Sequence, residues 1–360
     1  MSATETARPD LEPRRTVEPS AETQFNRLVR GLAADLNRPN PAIYWIDMLA
    51  SAATGYAALA LAIYSDWLVV SALCVVVSSL ALYRGLMFIH ELVHLAGRAP
   101  RGFRTAWNAL IGIPLLTPSF FCEDVHLYHH GKHSYGTEAD PEYLPLAGRS
   151  PATLALFVLS VAVVPLLLLL RSAIAAPAAV FSRRVRILLI ERCSSLVINP
   201  RFRRSVRSLA GNRTWPWLEA AATLWAWTLC AVAIMGYVSL RTIAIVTLVA
   251  VGVATANQLR TLVAHRWESD GRPRTLVGQM TDTVNVPPPG LLPALWAPLG
   301  LRYHALHHLM PELPYHALGA AHRRLCSALS GPSPYALTIA PGFLATLRRI
   351  VSQQPVRDRI

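Results

Sequence analysis

Apolar runs of membrane-spanning length recur along this chain, separated by short polar stretches. They fall at about 43–64, 67–89, 152–181, 217–237 and 239–258. Roughly 20 apolar residues in a helix cross the hydrocarbon core of a bilayer. The first two runs are joined by Ser65-Asp66-Trp67 and read as a helical hairpin; the last two meet near Gly236-Tyr237 and read as another. Stretch 103–121 carries Trp107, Leu110, Ile111, Leu115 and Leu116 but also Pro114 and Pro118. It is too short and too proline-broken to span, which suits an interfacial or re-entrant segment. Run 152–181 is interrupted by Pro165, Arg171 and Pro177. The pattern predicts an all-α polytopic membrane protein with four transmembrane helices in two hairpins, plus interfacial or re-entrant helices.

The flanks divide the chain into three parts. Residues 1–40 form a polar tail in which Phe25, Leu28, Val29, Leu32 and Leu36 have helical spacing. An amphipathic helix on the membrane surface is expected there, with a fully disordered tail as the alternative. No apolar core follows a basic start, so the tail does not read as a signal peptide. Residues 41–325 form the membrane domain, and 326–360 a cytoplasmic C-terminal tail.

Charge then sets the orientation. The chain is 53% hydrophobic and 15% charged, where soluble domains are nearer a quarter charged. Its net charge is +13, and every basic residue except Lys132 is arginine. The arginines cluster beside the apolar runs, which points to anionic membrane lipids and an acidic protein partner and not to nucleic acid. Segment 183–213 holds nine: Arg183, Arg184, Arg186, Arg192, Arg201, Arg203, Arg204, Arg207 and Arg213. Such loops stay cytoplasmic. Run 152–181 is therefore expected to enter and leave on one side, as a bent hairpin or an interfacial helix pair. The arginine- and alanine-rich, lysine-poor bias suggests a GC-rich bacterial genome, so a bacterial inner membrane with a cytoplasmic cap is the expected location. Five scattered cysteines without a CxxC look reduced, which argues against disulfides and a cysteine-held iron–sulfur cluster.

Histidine supplies the chemistry. It is absent from 1–89 and from 134–264, and concentrates in three boxes. The first is His90-Glu91-Leu92-Val93-His94. The second is His126-Leu127-Tyr128-His129-His130, and the third, His304-Ala305-Leu306-His307-His308, repeats its spacing. Positions i, i+3 and i+4 share a helix face, so each box can aim two or three imidazoles at one place. Eight convergent imidazoles exceed one four-coordinate zinc and suit two ions with open positions. Glu91, Glu123, Asp124, Asp140 and Glu142 are candidates to hold the free ring nitrogens. His133, His316 and His322 read as structural. The first box alone also matches the His-Glu-x-x-His of zinc metalloproteases, with Glu91 as general base. With Glu123-x-x-His126 it gives a ferritin-like pair of Glu-x-x-His motifs. Both readings leave the two His-x-x-His-His boxes unexplained.

The three boxes, in this order around two hairpins, resemble the membrane fatty acid desaturase/hydroxylase superfamily over roughly residues 40–325. The resemblance implies a pair of non-haem iron ions, activation of O2 and attack on unactivated C–H bonds of acyl chains. It also implies a ninth ligand just after the last span, which is His265 in Asn257-Gln258-Leu259-Arg260-Thr261-Leu262-Val263-Ala264-His265. The chain departs from structurally known acyl-CoA members in two ways. Thr261 stands where they carry an asparagine four before that histidine, and the first box is one residue shorter. The third box begins with His304, not the glutamine of cytochrome-fused members. No haem, flavin or iron–sulfur domain is present, so electrons are expected from a separate ferredoxin- or cytochrome-type donor. The expectation is a desaturase of lipid- or thioester-linked acyl chains, with a hydroxylase or ketolase on the same scaffold as nearest rival. A zinc intramembrane protease is the different-class alternative, and a lipid-binding protein without metal is the third.

Overall fold

The structure, a computed structural model, describes residues 20–353 except Leu291 and Ser330. The described residues form helices and loops, with three isolated bridges and no strand. The helices that position the site are α1 (Ala21–Ala33), α2 (Pro41–Tyr64), α3 (Leu68–Leu86), α4 (Phe88–Leu95), α5 (Val125–His129), α6 (Pro151–Phe181), α7 (Arg183–Cys193), α8 (Trp215–Ile234), α9 (Leu240–Ala264), α10 (His304–Leu309), α11 (Tyr315–Ala328) and α12 (Phe343–Ser352). Five stretches are long and apolar enough to cross a membrane: α2, α3 with its continuation to Arg98, α6, α8 and α9.

The first hairpin is tightly packed. Asn40 caps α2 through its side chain, and Pro41 takes the first turn, where its missing N–H costs nothing. Lipid supplies no hydrophobic force between helices, so close packing by small residues must hold the pair. At Gly55 a Cβ would meet Leu82 at 2.6 Å, and the Ser78 hydroxyl donates to the Gly55 carbonyl at 2.9 Å. The same device seats α9 on α3: at Gly252 a Cβ would meet Ser79 Oγ at 2.3 Å.

The second hairpin differs from its expected form. The chain does turn at Gly236, but α8 and α9 barely touch; α9 packs on α3, while α8 lies against α6. Two segments fill the gap. Stretch 103–121 dips between the spans: the Tyr56 hydroxyl donates to the Leu110 carbonyl at 2.6 Å and the Trp225 indole to the Pro114 carbonyl at 3.2 Å. The other segment is α6.

The α6 run is a single helical rod and not a bent hairpin. A 3-10 stretch (Ser160–Val163) precedes Pro165, and a π-turn (Arg171–Ala175) precedes Pro177. These local changes of pitch absorb the prolines without reversing the chain. The reversal comes at Ser182, whose hydroxyl caps α7. The rod packs on both neighbours, from the site end of α9 at Gln258 to the middle of α8, where the Trp227 indole donates to the Ala173 carbonyl at 2.9 Å. Gln258 donates to the Phe157 carbonyl at 3.0 Å, and buried Arg171 grips Glu219 at 2.6 and 2.8 Å.

The described parts of both tails, 20–40 and 326–353, are also built in; the rest of each expected tail lies outside the described residues. Part of the apolar face of α1 packs on protein: Val29 and Ala33 are buried in a cluster with Leu318, Ala321 and Leu325 of α11, while Leu28 stays exposed. Arg324 pairs with Asp35 to hold the contact. At the other end Ile350 of α12 is buried, and its carbonyl accepts from Gly148 N at 2.8 Å.

Candidate metal centre

Each box is placed by a different local device. The helical path of α3 breaks at Met87, where the Trp107 indole donates to the Gly85 carbonyl at 2.8 Å. A side chain inserted into the backbone ladder kinks a helix in this way. The redirected α4 buries His90 and presents it with His94 on one face, their ring centroids 4.9 Å apart. The second box rides on α5, whose approach is pinned by Arg204. That guanidinium is inside the protein, donating to the carbonyls of Phe120 at 2.7 Å, Ser194 at 2.5 Å and Glu123 at 3.0 Å and pairing with Asp124. It is thus a structural arginine, while the other eight of segment 183–213 are exposed.

His265 and the third box are placed together. The chain leaves α9 in extended form at His265, which bridges Thr283. Two residues on, the Asn285 side chain accepts from Leu306 N at 3.1 Å, and Val284 O accepts from Ala305 N at 3.2 Å, so this extended segment caps α10.

The structure brings all nine sequence-nominated histidines together, in two groups. His90, His94, His126, His130 and His307 form one; His129, His265, His304 and His308 form the other. Within each, the ligand-capable atoms lie within 4.8 Å of one another. The boxes do not map one to a group: the second and third each contribute to both.

The nitrogens facing inward are all Nε2. Four contacts join them: His126 to His130 at 3.1 Å, His130 to His307 at 3.2 Å, His265 to His304 at 3.1 Å and His304 to His308 at 3.2 Å. The Nε2 atoms of His90, His94 and His129 are buried with no partner at all. Lone pairs converging in a dry site repel one another unless a cation lies between them. Two nitrogens about 2.1 Å from one metal, at right angles, sit about 3.0 Å apart. The donor set therefore fits two imidazole-ligated ions, and a first-row metal such as iron accepts such ligands readily.

Four of the outward nitrogens have partners that fix this tautomer, whereas the buried Nδ1 atoms of His130 and His304 have none. His126 Nδ1 meets Glu142 at 2.8 Å, and His129 Nδ1 meets both Asp140 oxygens at 3.0 Å. His265 Nδ1 lies 3.2 Å from the Tyr135 hydroxyl, which donates to Asp282 at 2.9 Å; His308 Nδ1 lies 3.4 Å from Gln279. Burial, with neighbouring imidazoles adding to it, holds His130, His265, His304, His307 and His308 well below the usual histidine range. At His129 burial lowers the pKa but the Asp140 carboxylate raises it further, for a net upward shift. Glu142 is held down to about 2 because the His126 imidazole, then His129 and Arg260, outweigh burial.

An apolar cavity reaches the five-histidine group. Val161, Val164, Pro165 and Leu168 of α6 face Ala250, Val253 and Ala254 of α9, and the inner end is formed by His90, His126 and Glu142. The splay of α8 from α9 makes this space, and α6 forms its wall.

A family model described as fatty acid desaturase matches residues 65–335. The chain belongs to that family. It is also 44% identical over 331 residues to a ceramide hydroxylase of Caulobacter vibrioides, an alignment covering 91% of this chain and 93% of that protein.

Membership makes this desaturase-family chain a membrane oxidoreductase, and the geometry separates it from a protease. Glu91 is buried, accepts from the Tyr44 hydroxyl and from Tyr315 N at 3.3 Å, and touches neither histidine group. It has no reach to a metal-bound water. Glu123 and Asp124 are likewise engaged elsewhere, with Arg104 and Asn212 and with Arg204 respectively. Of the five carboxylates nominated from sequence, Asp140 and Glu142 hold histidines. Sequence reading missed Tyr135, Gln279 and Asp282, which lie outside the boxes and carry no spacing signal. His316 accepts from Asn40 N and His322 meets the Tyr335 hydroxyl, away from both groups; His133 is exposed.

Proposed function

We propose that this protein is an O2-dependent hydroxylase of ceramide-type lipids, with two non-haem irons held by the nine histidines. The observation that carries the reading is the cavity: its walls suit an alkyl chain, and it ends on His90 and His126. The Caulobacter relative favours hydroxylation over the desaturation expected from sequence. Bound iron would supply the activation of O2. In the overall reaction one oxygen atom enters a C–H bond and the other leaves as water, using two electrons from a separate donor protein and two protons. The chain's own residues do the rest. The α6 and α9 walls hold the alkyl chain and exclude water, and small shifts in its position decide which hydrogen faces the irons. Asp140, Glu142 and Tyr135 with Asp282 keep the imidazoles oriented and basic.

Desaturation of acyl chains is the second reading, supported by the description of the family model. The site is read as cytoplasmic, beneath four spans with α6 lying along the inner membrane surface. The eight exposed arginines of 183–213 and the convergence of all three boxes on one site support that topology. The test is lipid profiling of a bacterial host that makes ceramide, with and without this chain, together with metal analysis. Ceramides that gain one oxygen, and two irons per chain, are expected. Lipids that lose two hydrogens without gaining oxygen would favour desaturation. Unchanged lipids with two bound irons and a reducing donor present would sink both.

A further inference from the structure

The cavity is apolar along its length but not at its inner end, where one turn of α9 supplies Asn257, Gln258, Arg260 and Thr261. Arg260 is the unusual member. Among the described residues no carboxylate lies within ion-pair distance of it, in contrast to Arg84, Arg104, Arg171 and Arg204, each of which has one. Its guanidinium donates to Asn257 Oδ1 at 3.3 Å and touches the Tyr83 hydroxyl, while its buried Nε has no partner. A guanidinium offers five donors and does not lose its charge. Asn257 and Tyr83 are neutral partners, Nε stays unfilled, and Glu142 shares the cavity without closing an ion pair; an unfilled donor beside an apolar surface is costly, so Arg260 has room for a further acceptor.

We propose that Arg260, with Asn257 positioning it, binds the acceptor oxygen at the polar end of the substrate, the amide carbonyl or hydroxyl of an N-acyl lipid. The consequence is positional. Arg260, His90 and His126 line one cavity, so an oxygen held by Arg260 puts only carbons close to the polar end beside the five-histidine group. Hydroxylation then falls within a few bonds of the amide, not in mid-chain, and the alkyl tail runs outward between α6 and α9. The assignment of an N-acyl lipid rests on the hydroxylase reading above, whereas the clamp itself rests on Arg260.

Binding and regiochemistry test these separately. Purified protein in detergent is titrated with a short-chain ceramide, with a fatty acid of matching length and with a matching alkane, and thermal stabilisation gives each affinity. Arg260→Met is expected to weaken ceramide binding about tenfold, the scale of a lost charged hydrogen bond. Alkane binding and iron content should be unchanged, and Arg260→Lys should recover part of the loss. Wild-type product, fragmented by mass spectrometry, should carry its hydroxyl close to the amide, and Arg260→Met should scatter it along the chain. Equal ceramide affinity in wild type and Arg260→Met overturns the clamp, as does a wild-type hydroxyl in mid-chain. A fatty acid that gains more from Arg260 than ceramide does overturns the N-acyl assignment. Arg260-dependent ceramide binding without hydroxylation of ceramide leaves the clamp standing and removes the proposed reaction.

Discussion

The two histidine groups lie side by side but are built for different exposure. The four-histidine group is sealed: His129, His265, His304 and His308 are each 3% exposed or less, and three of them are wired outward through Asp140, Tyr135 with Asp282, and Gln279. In the five-histidine group His126 alone has a carboxylate partner, Glu142, and two members line the apolar cavity. The difference separates two tasks. In the proposed function, the group on the cavity would meet the substrate, and the other would be held stiff and electrostatically tuned behind it.

The sharpest way to break this contrast is to remove an imidazole from each side. His94→Ala and His308→Ala should each lower turnover by more than about a hundredfold and drop bound iron below two per chain, read by metal analysis. Full activity in either would remove that group from the chemistry. Next come the outer partners. Asp140→Asn and Asp282→Asn should cost about ten- to a hundredfold in activity or metal affinity, since they orient ligands without touching the ions. The sealed group is expected to feel this more than Glu142→Gln affects the open one; the reverse order would erase the distinction.

Glu91→Gln sits lower on the scale. It trades a buried carboxylate that accepts from Tyr44 and Tyr315 for an amide, so a stability loss of about 1–3 kcal/mol is expected with iron retained. Loss of iron together with all turnover would instead place Glu91 at the centre. The smallest effects concern the surroundings. Donor-dependent turnover should fall modestly as salt rises, because exposed arginines steer an acidic donor. Cysteines at positions 65 and 237 should label from outside and one at 210 should not.

What the sequence reveals and what it conceals follow a physical line. The spans and boxes are written in local periodicity, which a helix obeys whatever surrounds it, so the hairpin of α2 and α3 and the eight box histidines were readable. His265 came through resemblance, since a lone histidine after a span has no periodic signal. The division into five and four was not readable, because it depends on how α4, α5 and α10 meet in space. Amphipathic spacing announces that α1 buries a face but not on what: Val29 and Ala33 pack on α11, while Leu28 stays exposed. Prolines in 152–181 suggested a break, yet 3-10 and π stretches at Ser160–Val163 and Arg171–Ala175 let one rod continue. The nine arginines of 183–213 read as one surface, but Arg204 turned inward to fasten the second box.

The sharing of short helices between the groups has a consequence for assembly. On α5, His126 turns to one group and His129 to the other; on α10, His307 turns to one and His304 and His308 to the other. Histidines of different groups stand one to three residues apart, less than one turn, and under the proposed function they would serve different ions. Whatever straightens α5 or α10 for the first ion thereby pre-forms the second place, so the ordering cost falls on the first arrival. Loading should be all-or-none, with half-filled protein scarce at every iron concentration, and a chain that loses one ion should quickly surrender the other.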